Sequence, residues 1–244
     1  KAKIFETAGT ELLSAVAVKP AAQMPTNLAG QKLMRYRLKL PEGSEFDLNS
    51  GRQSFSQDIL TIKQEAFADP GDNNNSTCPS AGEELAASPY IQSDAAEIIS
   101  MSTALTSGMH SEREKAEALA DWVNSELEKR PVIGIPDALT TLKNRVGDCN
   151  EHAALYAALA RAAGIPTKIA AGVVFHKDAF YYHAWNEACL SGQWISLDTT
   201  TGQFPTDLSH IKFVEGELRE QMRISALLGV LEIEPLDTGN EADR

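Results

Sequence analysis

An alanine-rich segment constrains the fold of this chain more than any other feature. The stretch GDCNEHAALYAALARAAGIP, residues 147–166, has the composition of a helix that is buried on most of its sides. Asp148 and Glu151 have the spacing of a capping box, which makes Cys149 the first helical residue. The helix is predicted to run through Ala163, where Gly-Ile-Pro stops it. The sequence therefore predicts a buried helix that begins with a thiol.

Helical periodicity precedes this segment, and strand periodicity follows it. A capping box at Ser111 opens a helix with regularly spaced apolar residues, which Pro131 is predicted to end. A shorter helix leads to the turn at Gly147. From Ala170 onward, IAAGVVF, FYYHAWNEACL and QWISLDTT have the pattern of strands at hairpin spacing. Helices followed by strands favour an α+β fold over alternating βαβ units.

The N-terminal third has a different pattern. Residues 31–40 alternate between polar and apolar side chains, which predicts a half-buried strand, and residues 54–67 form a second strand candidate. Residues 69–90 contain almost no large apolar side chain and are predicted to be a loop or linker, with Cys78 inside it. We place a boundary there between a β-rich N-terminal portion and the rest of the chain.

Composition narrows the function classes. The chain has 244 residues, of which 43% are apolar, so it can bury a sizeable core. Its net charge of -12, with no basic run, argues against nucleic acid as a partner. No apolar run approaches the roughly 20 residues that cross a bilayer. Because the chain begins at Lys1, we expect a processed form or a piece of a longer protein.

Three cysteines, Cys78, Cys149 and Cys189, cannot all pair with one another, so at least one is free or joined to another molecule. No C-x-x-C pair indicates a zinc ribbon or a thioredoxin-like site. The thiol of Cys149 faces the unpaired N–H groups and the positive end of the helix dipole, which favour the thiolate and can hold an oxyanion. The alternative is that Cys149 is a small buried apolar residue.

A thiolate nucleophile needs a base and a group that orients that base. His183 lies mid-strand in FYYHAWNEACL, and Asp198 ends the next strand, an arrangement that suits two neighbouring antiparallel strands. His152 is the rival base, three residues beyond Cys149 on the same helix face, with no acid evident to orient it. The other three histidines are not predicted to act as the base: His110 and His176 are predicted to lie in loops, and His210 to pack beside the strands.

Three separated motifs resemble the transglutaminase-like superfamily, in particular its bacterial members. They are the Cys at the helix start, the helix end R-x-x-G-I-P, and the His-Ala-Trp strand followed by W-x-x-x-D. The resemblance covers residues 95–215, about half of the chain. It implies a papain-like α+β fold with a catalytic domain at residues 91–244 and an accessory β-rich portion at residues 1–90.

The resemblance also implies acyl transfer on amide bonds through a thioester intermediate. Cys149 would be the nucleophile, His183 the general base and acid, and Asp198 the orienting carboxylate. We favour a cysteine protease or amidase over a transglutaminase, acting on a protein or peptide substrate. Asn144 and Trp122 are candidates for the oxyanion hole, with no basis for a choice between them. No calcium loop is evident, so we predict neither a metal nor a cofactor.

Two alternatives stay open. Cys149, His152, His183 and Asp198 could hold Zn²⁺, although the usual ligand spacing is absent. A catalytically silent fold that binds proteins or glycans is the second alternative. For localisation, the resemblance to exported bacterial proteins favours the periplasm or cell envelope. The oligomeric state is not predicted.

Overall fold

Two units, each built from separate stretches of sequence, make up the described part of the chain. A computed structural model describes residues 17–28, 30–67, 78, 82–132 and 134–238. The helical unit comprises Ala66–Ile169 and Ala184–Thr206. The β unit comprises residues 17–65, Ala170–His183 and residues 207–238. The boundary at residue 90 stays a prediction.

The helical unit is organised around the alanine-rich helix. Its four helices are α1 (Ala96–Thr106), α2 (Glu112–Glu126), α3 (Ala138–Asn144) and α4 (Cys149–Ala162). Helices α1, α2 and α3 all pack against α4, and every residue of α4 from Glu151 to Ala160 is buried. Small alanine side chains allow this close approach from three directions, and the predicted buried helix is confirmed.

Helix α2 begins where the sequence predicts and ends earlier. Ser111 is its N-cap and forms the predicted capping box. The helix ends at Glu126 and not at Pro131, because the chain turns into a short strand, β4 (Glu128–Lys129). This strand pairs in parallel with β5 (Val146–Gly147), immediately before α4.

The strands predicted after α4 are confirmed. They are β6 (Thr167–His176), β7 (Ala179–Leu190) and β8 (Gln193–Leu197). Strands β7 and β8 form an antiparallel hairpin in which Asn186 pairs with Leu197. With β9 (Ile211–Glu215) they form a sheet in the order β8-β7-β6-β9. Along the chain, β6 and β7 each pass from one unit into the other.

The β unit contains a second antiparallel sheet. Its strands are β1 (Leu33–Lys39), β2 (Gln53–Ser56), β3 (Ile59–Lys63) and β10 (Glu232–Pro235), in the order β10-β1-β3-β2. The strand predicted at residues 31–40 is confirmed, with Tyr36 and Leu38 buried. The single strand predicted at 54–67 is wrong: the segment is a hairpin whose turn residues, Gln57 and Asp58, have positive φ.

Helices and antiparallel sheets together confirm the predicted α+β class. A short helix, α5 (Leu218–Gln221), and a 3-10 turn (Met222–Leu227) connect β9 to β10. Among the described residues, no helix is both long and apolar enough to span a lipid bilayer.

Candidate active site

Cys149 is the free thiol of this chain. Cys78 and Cys189 form a disulfide across 111 residues of sequence, which the cysteine count alone leaves open. Cys149 is half-buried and is the first residue of α4, as predicted. The structure therefore places the unpaired thiol at the start of the most buried helix of the helical unit.

The start of α4 is a complete capping box. The backbone N–H of Asp148 donates to Glu151 Oε2 at 2.9 Å, and that of Asn150 donates to Asp148 Oδ1 at 3.0 Å. Gly147 precedes the box, and a Cβ added there would lie 2.2 Å from Glu151 Cβ. The absence of a side chain at position 147 thus lets the strand approach the helix closely and fixes the position of Cys149.

The two acids of this capping box affect one another. Burial, followed by the hydrogen bond and the negative charge of Asp148, raises the pKa of Glu151 to about 7. The Glu151 side chain is therefore partly protonated near neutral pH, two residues along the helix from Cys149.

His152, the rival base, lies fully buried on α4. Its Nδ1 is 2.7 Å from the carbonyl oxygen of Asp148. Because a carbonyl only accepts, Nδ1 carries the proton and Nε2 is left as the acceptor. No described residue donates to Nε2. Burial and the charge of Lys129 lower the pKa of His152 to about 4, against the opposing effect of the hydrogen bond to Asp148. The ring therefore resists the protonation that a general base must undergo.

Asp198 lies directly after β8, and only 1% of its surface is exposed. Its Oδ1 accepts from the backbone N–H of Thr200 at 2.8 Å, and its Oδ2 accepts from Thr201 Oγ1 at 2.6 Å. The carboxylate thus organises the turn that follows β8. This role does not exclude a second one, because each carboxylate oxygen has more than one lone pair.

Lys129 is a charged neighbour that the sequence did not indicate. Burial lowers its pKa, while the charge of Asp198 acts in the opposite direction. Its Nζ donates to the carbonyl oxygen of Asn124 at 2.8 Å, and Asn124 Nδ2 donates to the carbonyl oxygen of Thr199 at 2.7 Å. These bonds connect the end of α2 to the turn after β8. A strand of two residues gives no sequence pattern that would have revealed Lys129.

His183 lies on β7 within the β unit and is 8% exposed. Its ring packs edge-to-face against the ring of His210, with the centroids 6.0 Å apart. His210 directly precedes β9 and is fully buried, with Nδ1 3.1 Å from Asp207 Oδ1. His176 is the last residue of β6 and not a loop residue as predicted. The D-x-x-H spacing of Asp207 and His210 was the signal available in the sequence.

The structure thus groups the predicted residues within each unit. The helical unit brings Asp198 into electrostatic interaction with Lys129 and His152, and Cys149 begins the helix that carries His152. The β unit brings His183 against His210. The combination of Cys149, His183 and Asp198 as one triad remains a proposal.

The two oxyanion-hole candidates occupy different environments. Asn144 is the exposed last residue of α3. Trp122 is half-buried on α2, and the guanidinium of Arg145 lies 4.3 Å from the centroid of its ring. The choice between the two candidates stays open.

The β unit also contains an open groove of about 670 Å³. One side is formed by residues of the 20–28 segment, and the other by Phe175, Lys177, Asp178, Asp207 and Ser209. Asp207 and Ser209 belong to the turn that holds His210, whereas His210 itself does not line the groove.

The sequence model described as the transglutaminase-like superfamily matches residues 99–199, the stretch that contains α4, β7 and the residues from Cys149 to Asp198. Over these residues the chain is similar to the transglutaminase-like superfamily. The resemblance that the three motifs indicated is therefore confirmed. No curated protein matches the chain.

Two solved structures are similar to this chain at low sequence identity. A proposed cysteine protease from Cytophaga hutchinsonii is 18% identical, with a TM-score of 0.50 over 83% of this chain and 81% of that chain. The periplasmic domain of TgpA from Pseudomonas aeruginosa is 16% identical, with a TM-score of 0.46 over 78% of this chain and 73% of that chain. At this identity the first likeness supports the papain-like, transglutaminase-like α+β fold alone.

Proposed function

We propose that this transglutaminase-like chain is a thiol enzyme that acts on amide bonds of a protein or peptide. The observation that carries the proposal is the unpaired thiol of Cys149 at the capped start of the buried helix α4, while the other two cysteines pair with each other. A free thiol at that position meets the N–H groups and the dipole that stabilise a thiolate and an oxyanion.

In the proposed reaction, Cys149 is the nucleophile and His183 is the general base and acid. The thiolate attacks the amide carbonyl carbon, and the carbonyl oxygen becomes an oxyanion. The C–N bond then breaks, and the leaving amine takes a proton from the imidazolium of His183. A thioester remains. Water or a second amine gives its proton to His183 and attacks the thioester carbonyl carbon. The C–S bond then breaks, which releases the acyl group and restores the Cys149 thiolate and the His183 imidazolium.

Asp198 is proposed to orient His183. It directly follows strand β8, whose last residue, Leu197, pairs with Asn186 on the strand that carries His183. The rival base His152 is less suited to this role, because its Nδ1–H is held by a backbone carbonyl and its pKa is lowered to about 4. We also propose that water resolves the thioester, which makes the enzyme a protease or amidase.

The test is the rate at which iodoacetamide alkylates Cys149 as a function of pH, followed by peptide mass spectrometry. We expect rapid alkylation well below the pH at which ordinary thiols react, and loss of this reactivity in His183→Ala. His110→Ala, which removes an exposed imidazole, is the matched control and should behave as the wild type. Equal reactivity in wild type and His183→Ala would contradict the pair and favour a silent binding fold.

A second assay separates hydrolysis from transfer. The protein is incubated with casein and a fluorescent primary amine, and both cleavage products and amine incorporation are measured. Cleavage without incorporation supports the hydrolytic proposal, whereas incorporation without cleavage would replace it with transamidation. Cys149→Ala should abolish either activity and leave the melting temperature unchanged within a few degrees.

The disulfide supports a proposed location outside the cytoplasm. Disulfides such as Cys78–Cys189 persist in oxidising compartments such as the bacterial periplasm. Thiol trapping in intact source cells should find Cys78 and Cys189 oxidised. Reduced thiols at both positions would point to the cytoplasm.

A further inference from the structure

His210 is held rigidly by its own turn. Its Nδ1 lies 3.1 Å from Asp207 Oδ1, and the same oxygen accepts from Ser209 N at 2.9 Å and from Ser209 Oγ at 2.6 Å. Although burial opposes ionisation, the hydrogen bond and charge of His210 hold the pKa of Asp207 well below its usual range. An ionised carboxylate therefore fixes both the tautomer and the plane of the His210 ring.

A buried arginine fixes the backbone of this turn. Arg52 Nη2 donates to the carbonyl oxygen of Asp207 at 2.6 Å and to that of His210 at 3.4 Å. The Arg52 side chain is 6% exposed and forms an ion pair with Glu65. Next to it, Gln53 binds both backbone groups of Lys212, accepting at 2.6 Å and donating at 3.0 Å. Burying these charged and polar groups is costly, and together they fix the backbone on both sides of His210.

The fixed ring of His210 packs against the proposed base. The centroids of His183 and His210 are 6.0 Å apart and the ring planes make an angle of 66°, an edge-to-face contact. Both rings lie within the β unit, and His210 is fully buried. His210 thus occupies one side of the space into which the His183 ring could otherwise rotate.

We propose that His210, held by Asp207, is a positioning residue that fixes the orientation of the His183 imidazole. The inference rests on the proposed function of His183 as a general base. A base delivers a proton efficiently only when its ring is held within about 10–20° of the productive geometry. A rigid aromatic wall provides that restraint at a distance from the substrate.

Paired substitutions at one position test the proposal. His210→Phe keeps a flat ring and loses the Nδ1–H, whereas His210→Gln keeps an N–H donor and loses the ring. Hydrolysis of p-nitrophenyl acetate supplies kcat and KM, and iodoacetamide alkylation of Cys149 supplies a pH profile.

We expect kcat to fall about ten- to hundredfold in His210→Gln, since small misplacements have effects of this size. The value for KM should stay within about twofold of the wild type, because His210 is fully buried and so does not contact the substrate. The low-pH reactivity of Cys149 should be lost in His210→Gln and partly kept in His210→Phe, which keeps the ring and loses its bond to Asp207. Wild-type kcat in His210→Gln, or an equal loss in both variants, would overturn the proposal.

A further variant keeps the test valid if His210→Gln does not fold. Asp207→Ala leaves the His210 ring in place and removes the group that orients it, and Asp207 is a quarter exposed. It should lower kcat and shift the pH profile in the same direction as His210→Gln and by about as much as His210→Phe, since both variants keep a ring and lose its bond to Asp207; an unchanged profile would contradict the proposal. If the wild type itself shows no reactivity that depends on His183, the proposed function fails. If that dependence is present and the His210 and Asp207 variants match the wild type, only this inference fails.

Discussion

Two capping boxes in the helical unit predict opposite pH dependences of stability, and comparing them isolates the effect of burial. Glu114 on α2 and Glu151 on α4 hold the same third helical position and accept from the backbone N–H of their N-caps. Glu114 is exposed and Glu151 is buried. Hydrogen bonds from Ser111 and His110 lower the pKa of Glu114. Burial and Asp148 raise that of Glu151 to about 7.

The signs follow from proton linkage. Glu151 has a higher pKa in the folded state than in the unfolded state, so its stabilising contribution is present below about pH 4.5 and is lost as the pH rises through about 7. Glu114 has a lowered folded pKa, so its contribution is present above about pH 4.5 and is lost at lower pH. Replacing each residue with glutamine removes the titration and keeps an oxygen that can accept from the N-cap N–H.

The magnitude for Glu151 comes from the size of its pKa change. A rise from 4.5 to about 7 corresponds to about 3 kcal/mol at most, since a tenfold change in an equilibrium constant is about 1.4 kcal/mol. Water near the start of α4 screens part of this energy, so we expect a difference of about 1–2 kcal/mol. Glu151→Gln should therefore be as stable as the wild type at pH 4.5 and more stable by about that amount at pH 7.5.

Urea denaturation followed by tryptophan fluorescence between about pH 3 and 7.5 measures these differences. Glu114→Gln is the matched control: it should be less stable than the wild type at neutral pH, with the difference shrinking only below about pH 4.5. A Glu151→Gln difference that stays constant or decreases with rising pH would refute the assignment of burial as the dominant cause. Equal pH slopes in the two variants would do the same.

Three further predictions concern the disulfide, the orienting acid and a tight strand contact. The double substitution C78S/C189S should lower the free energy of unfolding by about 2–5 kcal/mol, and urea midpoints with and without reductant check this. Asp198→Asn should lower kcat/KM for p-nitrophenyl acetate by about 10²–10⁴ while leaving the melting temperature near that of the wild type, because the amide oxygen still accepts from the following turn; full activity would exclude the orienting role. Gly172→Ala should destabilise the protein by at least about 1–3 kcal/mol, because the new Cβ would lie 1.9 Å from the carbonyl oxygen of Ile211 on β9. An unchanged urea midpoint would contradict that contact.

Local signals in the sequence were sufficient for the elements that carry the proposed chemistry. The D-x-x-E spacing around Cys149 predicted both the capping box and the first residue of α4, because capping depends on neighbours within one turn. The alternation in β1 and the positions of β7 and β8 followed from periodicities of two residues and from short turns.

The sequence was insufficient where distant residues decide the structure. The end of α2 at Glu126 depends on the pairing of β4 with β5, which lies about twenty residues further along. The hairpin at residues 53–63 turns at Gln57 and Asp58, a pair that lacks the glycine usual in such turns. Three cysteines allow several pairings, and the fold alone brings Cys78 to Cys189.

The histidines show why site reasoning from sequence is harder than fold reasoning. His152 and His210 are both fully buried, and sequence position made His152, which follows Cys149 by three residues, the rival to His183. The partner of each Nδ1 distinguishes them: a neutral carbonyl oxygen of Asp148 for His152 and an ionised carboxylate of Asp207 for His210. A carbonyl cannot balance the charge of an imidazolium in a buried site, whereas a carboxylate can. His210, whose ring contacts His183, thus has a carboxylate as its partner. Only the folded arrangement of β7 and the turn before β9 brings these two rings into contact.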